Sequence, residues 1–283
     1  MTGTREENKL IMDKNAPIGV FDSGVGGLTV AREIMRQIPN ERIVYFGDTA
    51  RVPYGSKSKD NIIKFSRQII RFLQTENVKA IVIACNTASA LALDEMQQEF
   101  DLPILGVVKP GAKVAVETTA NKRIGLIGTE ANIRSGVYTR YIKSLDDEAK
   151  VFEKACPLFV PLVEEGWLHD DITLQVASRY LEELKEKDID TLIMGCTHYP
   201  LIRSTIRKVM GDKVNLVNPA YETAIELKNL LERDNLANKC DVDSPSSMYR
   251  FYVSDAEEKF KLFANSILPF DITMTKQINI ENY

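Results

Sequence analysis

The sequence is poor in the residues on which disulfide frameworks, most metal sites and membrane spans depend. It has four cysteines, two histidines and one tryptophan among 283 residues. Four cysteines are too few for a disulfide scaffold, so we expect free thiols in a reducing compartment. No apolar run is long enough to cross a bilayer, and the polar N-terminus lacks the apolar core of a signal peptide. We therefore expect a cytoplasmic protein that does not bind membranes.

Charge and missing motifs exclude further functional classes. A net charge of −4 argues against nucleic acid as the main partner. The sequence contains no GxGxxG turn and no GKS or GKT, so little favours a nucleotide ligand. It contains no CxxC and no HExxH, and the spacing of Cys196 and His198 is poor for zinc. We therefore expect no bound metal.

The main positive feature is an apolar strand that runs into a cysteine, and it occurs twice. Ile81–Ala84 precede Cys85, and the stretch LIMG at 192–195 precedes Cys196. Short apolar runs of this kind are typical of strands buried on both faces of a parallel sheet. Open α/β sheets bind their ligands at the carboxyl ends of such strands. We therefore predict that both thiols lie at a binding site, where the N-terminus of a following helix favours the thiolate.

Alternating strand and helix patterns indicate parallel βαβ units along the whole chain. Three pairs of similar stretches recur 106 to 111 residues apart: residues 18–23 with 124–129, Cys85 with Cys196, and Pro110 with Pro219. We therefore predict two similar parallel-sheet α/β domains, related by pseudo-symmetry, with the active site in the cleft between them. The predicted first domain comprises residues 1–108 and 218–283, and the second comprises residues 109–217.

Several local features are predicted inside the first domain. Residues 1–15 are expected to be a polar tail, and residues 239–247 a loop that carries Cys240. Thr87 is predicted to cap a helix over residues 88–100. The residues after Leu268 are expected to form a second tail. A glycine-rich turn follows Asp22 and Ser23, and its backbone N–H groups are suited to an anion.

Two thiols on opposite sides of a cleft suit the inversion of a carbon centre. Such an inversion needs a base on one face and an acid on the other, and a thiolate with a thiol supplies both in either direction. An ordinary thiol has a pKa of about 8.5, so a modest shift poises either form near neutrality. Asp22 near one thiol and His198 near the other are suited to assist proton movement. Four further polar residues are suited to hold carboxylate and amine groups: Ser23, Asn86, Thr87 and Thr197.

Five motifs together resemble one enzyme family. They are FDSGVGG, DTARVPYG, ACNTAS, CPLFVPLVEEG and GCTHYP, and the similarity runs from about Ile18 to Leu268. The combination resembles glutamate racemase, the cofactor-independent enzyme that makes D-glutamate for bacterial cell walls. The resemblance implies L- and D-glutamate as substrates and no cofactor. One departure from the family pattern is Asn132, where the family usually has threonine.

The resemblance also implies roles for individual residues. Cys85 and Cys196 correspond to the two catalytic acid/base residues, with Cys85 deprotonating D-glutamate and Cys196 deprotonating L-glutamate. Three other side chains correspond to assisting groups: Asp22, Glu165 and His198. The implied substrate-binding positions are Asp22, Ser23, Tyr54, Gly55, Asn86, Thr87, Thr129, Thr197 and His198.

Three alternatives remain open at the level of sequence. One is another amino-acid racemase of the same superfamily, for example one that acts on aspartate. Another is a thiol redox or metal-binding protein that uses Cys85, Cys196 and His198. A third is a non-catalytic amino-acid-binding protein, because two-lobed α/β clefts also serve that role. We expect a homodimer.

Overall fold

The computed structural model describes residues 13–238, 248–272 and 274–283. Most of the predicted polar tail over 1–15 lies outside the described residues. The predicted loop over 239–247, with Cys240, also lies outside them. Among the helices of these ranges, none is both long enough and apolar enough to cross a membrane.

The framework consists of two β-sheets. The strands of the described residues are, in chain order, β1 (Ile18–Asp22), β2 (Ile43–Gly47), β3 (Ala80–Ile83), β4 (Ile104–Gly106), β5 (Arg123–Gly128), β6 (Lys150–Ala155), β7 (Thr191–Gly195), β8 (Asn215–Val217), β9 (Tyr249–Val253) and β10 (Thr275–Gln277). One sheet has the order β10-β9-β2-β1-β3-β4, and the other has the order β6-β5-β7-β8. Each recorded strand pair is parallel. The predicted α/β class with parallel sheets is therefore confirmed.

The two sheets share one strand order, which explains the repeat in the sequence. The order β2-β1-β3-β4 of the first sheet corresponds strand for strand to β6-β5-β7-β8 of the second. β9 and β10 extend the first sheet beyond this common unit. Cys85 follows β3 and Cys196 follows β7, so the two thiols lie at equivalent places in the two sheets. The domain boundaries themselves stay a prediction.

Helices surround both sheets, which is why the central strands are apolar throughout. The helices of the described residues are α1 (Leu28–Gln37), α2 (Lys59–Thr75), α3 (Asn86–Glu99), α4 (Val108–Thr118), α5 (Glu130–Ser135), α6 (Val137–Leu145), α7 (Phe159–Glu164), α8 (Asp171–Lys185), α9 (Arg203–Met210), α10 (Pro219–Arg233) and α11 (Glu257–Ile267). Side chains of a strand alternate between faces. Accordingly, Val20 and Val82 pack into one apolar layer, whereas Phe21 and Ile83 pack into the layer on the opposite face.

Two local predictions in the first domain are wrong. Helix α3 begins at Asn86, with Cys85 as its N-cap residue, so Thr87 is already inside the first helical turn. The residues after Leu268 are not a tail, because β10 pairs in parallel with the edge strand β9. A 3₁₀ turn over Ile280–Asn282 follows, and Ile280 is buried. β10 has the sequence TKQ, which carries no apolar strand signal, and its pairing depends on the edge that β9 offers.

Candidate active site

The two cysteines that follow equivalent strands open onto one cavity. Cys85 and Cys196 are both buried, with exposed fractions of 5% and 6%. Both line one cavity. The residues that line it are Ser23, Val52, Pro53, Tyr54, Gly55, Cys85, Asn86, Thr87, Thr129, Val160, Cys196, Thr197 and His198. The structure thus brings together both cysteines and all the predicted substrate-binding residues except Asp22, which lies behind the cavity wall.

Cys85 lies in surroundings that favour its protonated form. Its Sγ lies 3.8 Å from the Oγ of Ser23. Burial, followed by repulsion from the carboxylate of Asp22, raises the pKa of Cys85 to about 12, although the Ala88 amide and the Ser23 hydroxyl oppose the shift. The helix N-terminus favours the Cys85 thiolate through the Ala88 amide, as predicted, but desolvation and Asp22 outweigh this contribution, so the net shift favours the thiol.

Cys196 has a histidine partner. The Nδ1 atom of His198 lies 3.8 Å from the Sγ of Cys196. On the other side of the ring, Nε2 lies 3.1 Å from Oε1 of Glu164. Burial opposes protonation of the ring, but the hydrogen bonds with Cys196 and Glu164 raise the pKa of His198 to about 10. His198 is therefore cationic at neutral pH, and an imidazolium beside the sulfur is a charge partner for a Cys196 thiolate.

The carboxylate that contacts His198 belongs to Glu164, whereas the sequence predicted Glu165 for the assisting role. Glu164 is the last residue of α7 and is partly buried. Glu165 follows it and is exposed to solvent. Successive residues of a helix point about 100° apart, so only one member of this pair can face the histidine. The structure therefore brings Glu164, and not Glu165, into contact with His198, and an assisting role for the acidic residue stays a prediction.

Asp22 lies outside the cavity lining and contacts residues of both halves of the site. It is fully buried, and its carboxylate accepts hydrogen bonds from the Gly24 amide at 3.0 Å and from the Thr197 hydroxyl at 3.3 Å. Burial raises the pKa of Asp22, while the positive charge of His198 acts in the opposite direction. Because it also repels a thiolate at Cys85, this one carboxylate influences both sides of the cavity.

One wall of the cavity is formed by Val52–Gly55, which we call the substrate loop. The hydroxyl of Tyr54 donates a hydrogen bond to Asp48. Asp48 also accepts hydrogen bonds from Nε of Arg51 at 2.7 Å and from the hydroxyl of Ser254 at 2.8 Å. Sequence reasoning missed Asp48, although the signal was present: it directly follows β2, just as Asp22 ends the neighbouring strand β1.

The two halves of the site approach each other closely. The hydroxyls of Thr87 and Thr129 lie 2.9 Å apart, and the Tyr138 hydroxyl donates to Asn86 Oδ1 at 2.7 Å. At Gly26, a Cβ atom would lie 2.4 Å from Nδ1 of His198. The glycine-rich turn is therefore needed for this close approach, because any larger residue would displace the histidine.

Asn132, the departure from the family pattern, lies beneath the Cys196 strand. It is buried, and its Nδ2 donates to the carbonyl of Gly195 at 2.9 Å. Its backbone amide donates to Oγ1 of Thr129, which caps α5. The side-chain amide therefore supports the residue that immediately precedes Cys196.

Two other candidate sites, the Cys156 thiol and a metal site, have less support. Cys156 is fully buried in the apolar cluster that contains Phe159 and Tyr199, as expected for a small structural side chain. Across the described ranges, three or more histidine, cysteine, aspartate or glutamate side chains do not come together in an arrangement suited to a metal.

Comparison with known proteins places the chain in a family. The family model described as Asp/Glu/Hydantoin racemase matches residues 18–225. A glutamate racemase from Geobacter metallireducens is 44% identical over 264 residues, which cover 93% of this chain and 97% of the relative.

Solved structures agree with the sequence matches. A glutamate racemase isoform from Bacillus anthracis aligns with a TM-score of 0.89 at 39% identity, over 94% of this chain and 98% of that chain. Glutamate racemase from Francisella tularensis, solved in complex with D-glutamate, aligns with a TM-score of 0.88 at 38% identity, over 95% of this chain and 100% of that chain. With matches of this identity over nearly its whole length, the chain belongs to the Asp/Glu/Hydantoin racemase family and, within it, to the glutamate racemases.

Proposed function

We propose that the protein interconverts L-glutamate and D-glutamate by cofactor-independent proton transfer between two thiols, and that it supplies D-glutamate for peptidoglycan synthesis. The observation that carries this proposal is the placement of Cys85 and Cys196 after equivalent strands of two sheets, on one shared cavity. The complex of the Francisella tularensis relative with D-glutamate supports the choice of substrate.

In the resting enzyme the two thiols have different roles. Cys85 carries its proton at neutral pH, since its pKa is about 12. The cationic ring of His198 lies beside Sγ of Cys196, where it stabilises negative charge on that sulfur. With L-glutamate, Cys196 takes the α-proton and Cys85 delivers its own proton to the opposite face of the carbon. With D-glutamate the same steps run in reverse: the Cys85 thiolate left by that delivery takes the α-proton, and the Cys196 thiol returns the proton that it had taken up.

The high pKa of Cys85 suits its part in this reaction. The α-hydrogen of an amino acid is a weak acid, so its removal benefits from a strong base. A thiolate whose conjugate acid has a pKa of about 12 is a stronger base than an ordinary thiolate. The α-ammonium group of a bound amino acid would bring positive charge next to Asp22 and reduce the repulsion that this carboxylate exerts on the Cys85 thiolate.

The remaining residues bind the substrate and assist the proton transfers. His198, held by Glu164, exchanges a proton with Cys196 and stabilises its charge. The first turn of α3 directly follows its N-cap residue Cys85, so its backbone amides and helix dipole favour negative charge on the substrate. Hydroxyl and amide side chains on both sides of the cavity hold the two carboxylates: Ser23, Asn86, Thr87, Thr129 and Thr197.

The wider setting of the protein belongs to the same proposal. A cytoplasmic location fits the supply of a precursor for the cell wall, and the acidic net charge of −4 fits a protein that does not bind nucleic acid. We propose a homodimer, in which a second copy covers apolar side chains that are about half exposed in the monomer: Leu158, Trp167 and Ile172. Sedimentation velocity of the purified protein tests this state.

The decisive experiment follows the optical activity of L-glutamate and D-glutamate with purified protein in metal-free buffer containing a chelator. We expect both enantiomers to lose their circular dichroism signal, with and without prior treatment by hydroxylamine, which removes carbonyl cofactors. Binding without racemisation would favour the amino-acid-binding alternative. Activity that required added metal or an oxidant would favour the metal or redox alternative. Racemisation of aspartate instead of glutamate would favour the other racemase.

A further inference from the structure

The last residues of the chain are anchored beside the active site by backbone pairing and apolar contacts. β10 adds to the edge of the first sheet, and the Ile278 amide continues the pairing with a hydrogen bond to the Val253 carbonyl at 2.8 Å. Ile280 is 3% exposed. The ring of Tyr283 packs edge-on against Phe72, with ring centroids 5.4 Å apart. The C-terminal segment, Thr275–Tyr283, is therefore part of the folded domain.

Within this segment, the side-chain carboxylate of Glu281 contacts two polar side chains, those of Arg51 and Gln68. Oε1 of Glu281 accepts a hydrogen bond from Nη1 of Arg51 at 3.1 Å, and Oε2 accepts one from Nε2 of Gln68 at 3.2 Å. The guanidinium of Arg51 also lies over the ring of Phe65, 4.1 Å from its centroid. Glu281, Gln68 and Phe65 together fix the orientation of the Arg51 guanidinium.

Arg51 transmits this orientation to the cavity wall. Its Nε donates to Oδ2 of Asp48 at 2.7 Å, and the Tyr54 hydroxyl donates to the same carboxylate oxygen. Asp48 is fully buried, so its carboxylate oxygens need these hydrogen-bond partners. Tyr54 lines the cavity, and its neighbour Gly55 touches Thr129 of the second half so closely that a Cβ atom there would lie 2.7 Å from Thr129 Cβ. Arg51 is therefore linked through Asp48 to a residue that lines the cavity.

We propose that Glu281 is a positioning residue for glutamate binding, acting from the C-terminal segment through Arg51 and Asp48 on Tyr54 of the substrate loop. This inference rests on the proposed function, because it assigns the cavity to glutamate. The distal end of the chain thus sets the shape of the substrate loop, although it contributes no side chain to the cavity lining.

The test compares Glu281→Gln with the matched control Glu99→Gln. Glu99 likewise pairs with arginine, but its partners Arg67, at 2.7 Å, and Arg71 both lie on α2 and not in the substrate loop. We expect Glu281→Gln to raise KM for both enantiomers, and the Kd of glutamate in calorimetry, by about twofold to fivefold, the range that a partly exposed ion pair can set. The turnover number should change less, and Glu99→Gln should behave as wild type.

A second pair of variants tests the anchoring of the segment. Tyr283→Ala removes the ring that packs on Phe72 and should raise KM as Glu281→Gln does, whereas Tyr283→Phe keeps the ring and should retain the wild-type KM. A lower melting temperature with unchanged KM and Kd in Glu281→Gln would reduce the segment to a structural role and overturn the inference. An equal rise of KM in Glu99→Gln would overturn it as well. Failure of the wild type to racemise glutamate would refute the proposed function instead, and the Kd comparison would still decide the role of Glu281.

Discussion

Nδ1 of His198 lies 3.8 Å from Sγ of Cys196, whereas the recorded side-chain partner of the Cys85 thiol is the neutral hydroxyl of Ser23. Cys196 therefore faces a cation, and Cys85 faces a hydroxyl with a carboxylate nearby. The two sheets are built alike, but the two thiols they carry are not chemically equivalent.

Replacing either cysteine by serine should abolish racemisation but spare one half-reaction. A hydroxyl is a far weaker acid than a thiol. The kcat of both Cys85→Ser and Cys196→Ser should therefore fall by about a hundredfold to ten-thousandfold. An amino acid with a β-leaving group needs only the abstracting base for elimination. Cys85→Ser should keep elimination from the L-analogue, and Cys196→Ser should keep it from the D-analogue. Equal elimination from both enantiomers by both variants would contradict the two-thiol mechanism.

Replacing Glu164 by glutamine should change the pH profile, and the same change at Glu165 should not. The Glu164 carboxylate contributes to the raised pKa of His198, about 10, so its neutralisation lowers that pKa. The basic limb of kcat/KM should move to lower pH by about one unit in Glu164→Gln. Glu165→Gln, at an exposed position, is the matched control. A shift confined to the Glu165 variant would restore the assignment made from sequence.

The charge of His198 should also appear in the pH dependence of stability. Its pKa in the folded protein, about 10, lies above the ordinary value for histidine. The stabilisation from the protonated ring is therefore complete below about pH 6.5 and is lost as the pH rises through about 10. The free energy of unfolding of the wild type should fall toward that of His198→Asn across this window in chemical denaturation. His169→Asn, at the exposed second histidine, should follow the wild-type curve. Parallel curves for wild type and His198→Asn would show that the ring is not charged.

Glutamate should stabilise the protein, and glutamine should not. A ligand at a hundredfold over its dissociation constant raises the free energy of unfolding by about 2.7 kcal/mol. The neutral end of glutamine would leave donors for the side-chain carboxylate mispaired. We expect a higher melting temperature with either enantiomer of glutamate in differential scanning fluorimetry. Equal shifts with glutamine would remove the case for a pocket that selects glutamate.

The parts of the fold that the sequence predicted are those fixed by local pattern. Continuous apolar runs identified the strands before Cys85 and Cys196, because strands covered on both faces must be apolar throughout. Three pairs of similar stretches, one of them Cys85 with Cys196, recur at nearly the same distance along the chain. This repeat predicted equivalent positions for the two cysteines in two sheets. The residues of the site were predicted through the motifs of the family that the sequence resembles. All of them line the cavity except Asp22 and Glu165.

The features that the sequence did not predict depend on tertiary contacts. Adjacent glutamates give no local signal for which one faces His198, since that depends on where α7 ends. The pKa of Cys85 follows from burial and from Asp22, a residue 63 positions earlier in the chain. β10 has a polar sequence and forms only because β9 offers an open edge. Each of these depends on a neighbour that the fold supplies.

The hydrogen bond between Tyr138 and Asn86 joins one half of the cavity to the other, so it acts as a spacer between acid and base. Inversion needs both sulfurs at the correct separation across one carbon atom, whereas elimination needs only one of them. Loosening this spacer, as in Tyr138→Phe, would therefore impair racemisation while leaving elimination from either enantiomer largely intact. The distance between the two sheets therefore influences the rate of racemisation, and the ratio of racemisation to elimination measures that influence.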